Sequence, residues 1–155
     1  MLKISAPKAC KIIDITYRQL DYWVRTNLVI PSISDGKGSG SQRLFSFEDL
    51  LKLKIIKSML DAGLNLKKIR QCINYCEDVL DKNLSSCSIV FDSTNSMFIQ
   101  DDVQLLDAIK HGQGVLNILP LESLSDKLKL EVSSNGESRS QLETEVAGQL
   151  KLLSS

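Results

Sequence analysis

The sequence predicts an α+β chain in two parts, and three observations carry that reading. Between residues 5 and 80 apolar residues recur with a period near 3.6, the pattern of packed amphipathic helices. That series is interrupted once, by two short extended stretches around a tract with three glycines in eight residues, Ser34 to Ser41. Beyond residue 84, apolar runs of strand length alternate with turn residues and then with a helical pattern.

The first helix is expected to start at Ser5-Ala6-Pro7, where proline's missing N–H costs little. Ala9, Cys10 and Ile13 give it an apolar side, and Asp14-Ile15-Thr16 leads directly into a second helix. In that helix Thr16 and Gln19 have the spacing of a capping box. At about 100° per residue, Leu20, Trp23 and Val24 gather on one side. Arg18, Tyr22 and Arg25 lie within roughly 60° of each other on the other side. Asn27 tolerates the left-handed geometry that ends a helix. A buried back and a cationic, aromatic front suit a DNA groove better than catalysis. The bland alternative is a surface helix that carries two arginines.

Val29 to Ile33 and Gln42 to Phe45 read as the two strands of a hairpin with a long Gly-rich tip, a wing. The Gly-Lys-Gly-Ser-Gly tract lacks the spacing of a phosphate-binding P-loop. Lys37, Arg43 and the backbone amides of the wing are instead expected at a DNA backbone. Ser46 caps a third helix, with Asp49 in its first turn, where the helix dipole favours an anion. Phe47, Leu50, Leu51, the stem of Lys54, Ile55 and Leu60 form its stripe, and Gly63 stops it. Asn65 caps a fourth helix with Ile69, Cys72, Ile73 and Cys76 on its apolar side. Lys67, Lys68 and Arg70 lie off that stripe, where a solvated face is expected.

Two helices joined by about three residues, then a wing, make a winged helix-turn-helix. The order continues with Arg-Leu-Phe-Ser after the wing, Glu-Asp-Leu, Ala-Gly-Leu and Lys-Lys-Ile-Arg. This combination resembles the N-terminal domain of the MerR family of transcriptional regulators. It is most similar to actinobacterial members that keep the winged domain and replace the long dimerisation coiled coil. The likeness covers roughly residues 5–80. It implies that Arg18 and Tyr22 take the recognition-helix positions that contact DNA, and that Arg43 takes the place of the wing arginine. It further implies a dimer on an inverted-repeat promoter site, with RNA polymerase as a candidate partner. Thr16, Tyr17, Arg18, Gln19, Tyr22, Arg25, Lys37 and Arg43 are the expected DNA-binding residues. Asp21 departs from the family pattern. A carboxylate there repels phosphate, so it is expected to face a cytosine amino group or to pair with Arg25.

After Leu80 no long coiled coil follows. Ser85 to Phe91 and Ser96 to Gln100 read as a hairpin, Asp101-Asp102 as the start of a helix, Val115 to Leu119 as a buried strand, and Pro120 to Val132 as a last helix. The expected domains are therefore 1–80, winged helix-turn-helix, and 84–132, a small β-β-α-β-α module. Residues 133–155 are expected to be a linker-like tail. The front half's apolar residues look satisfied by their own packing, so a fragment ending near Asn83 is expected to fold. The back half carries surplus apolar surface for so small a module and is expected to form the dimer.

Charge supports this division. Net charge is zero over 155 residues, but residues 1–83 hold 14 Lys+Arg against 9 Asp+Glu, while 84–155 hold 5 against 10. A polyanion partner for the front half alone is implied. No apolar run approaches the roughly 20 residues of a membrane span, and the start lacks an apolar signal core, so a cytoplasmic, nucleoid-associated protein is expected. Cys10, Cys72, Cys76 and Cys87 have no zinc-site spacing and read as small hydrophobes. The lone His111, in a helix-end context, has no catalytic companion, so neither an enzyme nor a cofactor is expected. Two alternatives stand beside the main reading. One is a metal or redox sensor using Cys72, Cys76 and Cys87. The other is an architectural or phage-type winged protein that bends DNA.

Overall fold

The computed structural model describes residues 2–37, 41–80, 88–91, 96–99 and 117–135, without the side chains of 75–80, 96–99 and 135. The expectations for the wing tip at 38–40, the helix from Asp101, His111, Val115 and Leu116, Cys87, the Cys76 side chain and the tail beyond 135 lie outside the described residues.

The front half opens with β1 (Ile4–Ser5), α1 (Ala6–Ile13) and α2 (Tyr17–Arg25). β2 (Ser34–Asp35) and β3 (Arg43–Phe45) frame the wing, and α3 (Phe47–Asp61) and α4 (Leu66–Leu80) follow. Ser5 is the N-cap of α1, with proline in its first turn. The α1–α2 turn depends on Asp14, which is left-handed at φ 63°. The α2 capping box forms as expected: the Gln19 amide donates to Thr16 Oγ1 at 3.1 Å, and the Thr16 amide donates to Gln19 Oε1 at 3.0 Å. Asn27 takes up positive φ just past the α2 cap.

The sheet around the wing differs from the expectation at two points. β1 pairs with β3, matching Ile4 to Phe45 and Ser5 to Leu44, and a two-residue strand has too few residues to show a period. The first wing strand also lies later than Val29–Ile33, with Ser34 opposite Leu44 and Asp35 opposite Arg43. The physical reason is that the Leu28 and Val29 amides both turn back to the Trp23 carbonyl, at 2.9 and 3.4 Å. Their side chains enter the core instead of a ladder.

Asp49 does more than complement a helix dipole. It is buried, and Oδ2 accepts from the Ser46 amide at 2.9 Å, the Ser32 amide at 2.8 Å and the Ser32 hydroxyl at 2.8 Å. One carboxylate thus closes the α3 capping box and ties down the segment that enters the wing.

The back half contains β4 (Ser88–Phe91), β5 (Ser96–Ile99), β6 (Asn117–Pro120) and a last helix, α5 (Leu121–Asn135). β4 is the central strand, antiparallel to both neighbours, and all four of its residues are buried. The strand expected to be buried, β6, is an edge whose side chains alternate in exposure, with Ile118 39% exposed. An edge strand with one wet face alternates by the period-2 geometry of the pleat. α5 outruns the expected end at Val132, and the Ser133 and Ser134 hydroxyls donate back to the carbonyls of Leu130 and Glu131. Such local bonds let serine continue a helix end that composition alone reads as linker.

The two halves share one core. Leu121, Leu124, Leu128 and Val132 form a stripe on α5, and they join Ile89 and Phe91 in the same buried cluster as α1, α2, α3 and α4. α5 packs on both α1 and α3. Lys54 Nζ reaches the Glu131 carboxylate at 3.4 Å, an ion pair between the basic and the acidic half. The expectation that the front half satisfies its own apolar surface is therefore corrected. Leu50, Leu51, Leu53, Ile55, Ile56 and Met59 are all buried, on every side of α3. Buried residues spread around a helix need cover from more than one side, and α5 supplies part of it.

Candidate nucleic-acid interface

α2 is anchored from behind and open in front. Leu20 and Trp23 are almost wholly buried, and Leu28 and Val29 close the helix end over Trp23. The Thr26 hydroxyl donates to the Tyr22 carbonyl at 2.8 Å. Arg70 of α4 donates from Nη1 to the Thr26 carbonyl at 2.8 Å. The solvated role expected for Arg70 is corrected by that bond: it satisfies a carbonyl left open at a helix end and complements the negative pole there.

On the front, Tyr17 is 58% and Tyr22 55% exposed, and Arg18 is exposed beside them. Exposed tyrosines of this size on one short helix present flat, amphipathic contact area to a partner. Arg25 keeps 74% of its side chain in solvent while its Nε lies 2.9 Å from Asp21 Oδ2. Lys37 is exposed on the wing, and its amide donates to Asp35 Oδ1 at 3.0 Å, a local turn that shapes the approach to the tip. Thr16 and Gln19 sit at the α2 N-terminus with their side chains engaged in the cap.

Arg43 is placed differently from the rest. Its Nη1 donates to Asp21 Oδ1 at 2.8 Å, and only 20% of the Arg43 side chain and 23% of the Asp21 side chain are exposed. The expected Asp21–Arg25 pair is therefore half of a triad in which one carboxylate holds two guanidiniums. The hydrogen bond from Arg43, joined by the charge of Arg25 and opposed by partial desolvation, holds the Asp21 carboxyl below its ordinary range. Between the start of α1, the front of α2 and the wing lies an open cleft of about 700 Å³, which Pro7, Tyr17, Asp21, Arg25, Gln42 and Arg43 help to line. Sequence reading missed the Asp21–Arg43 contact. Its one signal was an acidic residue within an otherwise basic face.

The cysteine set is only partly described. Cys72 is buried on the α4 stripe beside Ile69 and Ile73. Cys10 is half-buried, and burial pushes its thiol above the ordinary range. Among the described residues no group of three or more His, Cys, Asp or Glu is placed to hold a metal ion. No described helix is long and apolar enough to cross a membrane.

A capped helix bolted down by Trp23, following a shorter helix through a tight turn and flanked by a wing, defines the winged helix-turn-helix class. Residues 4–76 match the family model described as MerR HTH family regulatory protein, so this stretch of the chain is similar to the helix-turn-helix domain of MerR-type regulators. Relatives carry the similarity further. An uncharacterized HTH-type transcriptional regulator of Mycobacterium bovis is 45% identical over 112 residues, 72% of this chain and 50% of that one. A counterpart in Mycobacterium tuberculosis matches to the same extent. The HTH-type transcriptional regulator GlnR of Bacillus anthracis is 42% identical over 65 residues, 40% of this chain and 47% of that one. The chain thus spans about half the length of the curated relatives it matches. The mycobacterial match is longer than the helix-turn-helix domain, so part of the back half is shared too.

Proposed function

We propose that the chain is a regulator of transcription that binds double-stranded DNA in a sequence-dependent way, in the cytoplasm and at the nucleoid. The observation that supports this most is the front of α2: Tyr17, Arg18, Tyr22 and Arg25 all face outward from a helix whose back is locked in the core. A helix about 10–12 Å across fits a major groove about 12 Å wide. Arg18 and Arg25 offer the forked donors that read guanine edges or hold phosphates, and the tyrosines supply apolar contact and hydroxyls. Thr16 and Gln19 orient the N-terminal end of α2 towards the groove. Lys37 adds a backbone contact from the wing, and Arg43 serves at the wing base.

The chain acts as a homodimer on an inverted-repeat promoter site, coupled through the region 84–132, with RNA polymerase as the machinery it influences. The acidic balance of that region keeps it off DNA and leaves Ile118 on the exposed edge of β6 for a partner. Half-sites then lie about 34 Å apart or a multiple of it. The thiol-sensor alternative draws no support from Cys72, which is packed among apolar side chains.

Selection of bound duplexes from a random pool, followed by anisotropy titration of the enriched sequence, tests this reading. Enrichment of a palindromic motif is expected, with Arg18→Ala and Tyr22→Ala each weakening binding about 5- to 150-fold, the equivalent of about 1–3 kcal/mol. A pool that shows no enriched motif overturns it.

A further inference from the structure

Asp21 stands where a nucleic-acid-binding face ordinarily keeps carboxylates away. It lies on α2 one residue before Tyr22, and both of its oxygens are engaged: Oδ1 takes Arg43 Nη1 at 2.8 Å, and Oδ2 takes Arg25 Nε at 2.9 Å. Arg43 opens β3, so the first bond joins the candidate recognition helix to the base of the wing. The wing backbone is shaped around that arginine. Gly36 has φ +73°, and a Cβ built there would lie 2.9 Å from Arg43 Cγ and 3.1 Å from the Arg43 amide. Gly36 thus leaves the space through which the Arg43 side chain runs toward Asp21. Asp35 faces Arg43 in the β2–β3 register, which fixes the backbone from which the arginine extends. A positive φ, a close approach and a mostly covered ion pair converge on one contact.

We propose that Asp21 is a specificity-determining positioning residue: its carboxylate braces the wing against the recognition helix through Arg43 and withholds that guanidinium from indiscriminate phosphate contact. The proposal rests on the DNA-binding reading above. An unbraced arginine at the wing base would add a phosphate contact on any duplex, because backbone contacts carry no sequence information. Pairing it to Asp21 removes that sequence-blind contribution and holds wing and helix at one angle, so that only a duplex matching α2 also meets the wing. Arg25, tethered through Nε alone with most of its side chain in solvent, still presents its terminal nitrogens outward.

The test uses the full chain, its selected duplex and a scrambled duplex of equal length, titrated over a range of salt concentrations. Asp21→Asn keeps the shape and removes the charge. It is expected to tighten binding to the scrambled duplex about three- to tenfold at low salt and to steepen the slope of log K against log salt by about 0.9, one further phosphate. Binding to the selected duplex changes less, so the ratio between the two falls. Asp21→Glu is expected to restore much of the ratio. In Asp21→Asn/Arg43→Gln the added affinity for the scrambled duplex disappears, which identifies Arg43 as the released cation. Circular dichroism and Tm establish that each variant is folded. If folded Asp21→Asn leaves scrambled-duplex affinity and salt slope unchanged while wild type prefers its selected duplex, the brace is wrong and the DNA reading stands. A gain that persists in the double variant also overturns it. If wild type shows no preference for any duplex, the DNA reading itself has failed.

Discussion

Helices α2 and α3 are close in the chain and opposite in design. α2 has nine residues, with Leu20 and Trp23 buried and Tyr17, Arg18, Tyr22 and Arg25 in solvent. α3 has fifteen, and the residues buried on it point to every side. Both begin with a capping box, so local initiation does not distinguish them. What separates them is cover. α3 receives α1, α4 and α5, whereas on the front of α2 Tyr17, Arg18, Tyr22 and Arg25 stay exposed and Arg43 reaches across to Asp21. The surface left uncovered on an otherwise anchored helix is where recognition chemistry has room to act, and the helix packed by three others is what keeps that surface in place.

The largest expected effect tests the cover on α3. A chain ending at residue 80 loses α5 and β4, and with α5 the buried Leu121, Leu124, Leu128 and Val132. At about 1.5–3 kcal/mol for each buried side chain, the loss is about 6–12 kcal/mol, comparable to the whole stability of a small domain. That fragment should lack a cooperative thermal transition and should bind a hydrophobic dye. A sharp transition near that of the full chain would show that α3 does not need α5.

Next in size is the contrast within α2. Trp23→Ala should cost about 3–5 kcal/mol of stability by removing a large buried side chain. Tyr22→Ala, its exposed neighbour, should change stability by less than about 0.5 kcal/mol. Denaturant titration of the two variants measures the difference directly. Equal losses would mean that the exposed and buried faces of α2 have been assigned wrongly.

Between the helices, Arg70→Met should lower stability by about 0.5–1.5 kcal/mol, since the Thr26 carbonyl loses its donor but remains near solvent. The same change should lower duplex affinity only as far as it loosens the end of α2. An unchanged midpoint in urea would show that the bond holds nothing.

The smallest effect concerns pH. The Asp21 carboxyl is depressed in the folded chain, so its contribution to stability is fully present above the ordinary carboxylate range and is lost as pH falls through the lower folded value. Duplex preference should therefore stay flat between about pH 5 and pH 8, where an Asp at its ordinary value is already ionised. A loss of preference within that window would show that another group controls the wing.

Much of the candidate interface was legible in the sequence because it is built from local rules. The Thr16–Gln19 box, the split of α2 into Leu20/Trp23 and Arg18/Tyr22/Arg25 faces, the left-handed Asn27 and the glycine-rich wing each depend on residues a few positions apart. Backbone geometry converts such spacings into structure without reference to the rest of the chain. The same holds for the Ser46–Asp49 cap and for the stop of α3 at Gly63, which has φ +98°.

Only the tertiary structure decided the rest, because those features depend on contacts between residues far apart in sequence. Asp21 and Arg43 are separated by 22 positions, Ser32 and Asp49 by 17, Thr26 and Arg70 by 44, and Lys54 and Glu131 by 77. No periodicity reports such pairs. A charged residue facing away from an apolar stripe reads the same whether it meets water, phosphate or a carboxylate brought up by the fold. The role of α5 was hidden in the same way: its Leu/Val stripe announces that something is covered, and only packing shows that the covered surface is the helix that supports α2.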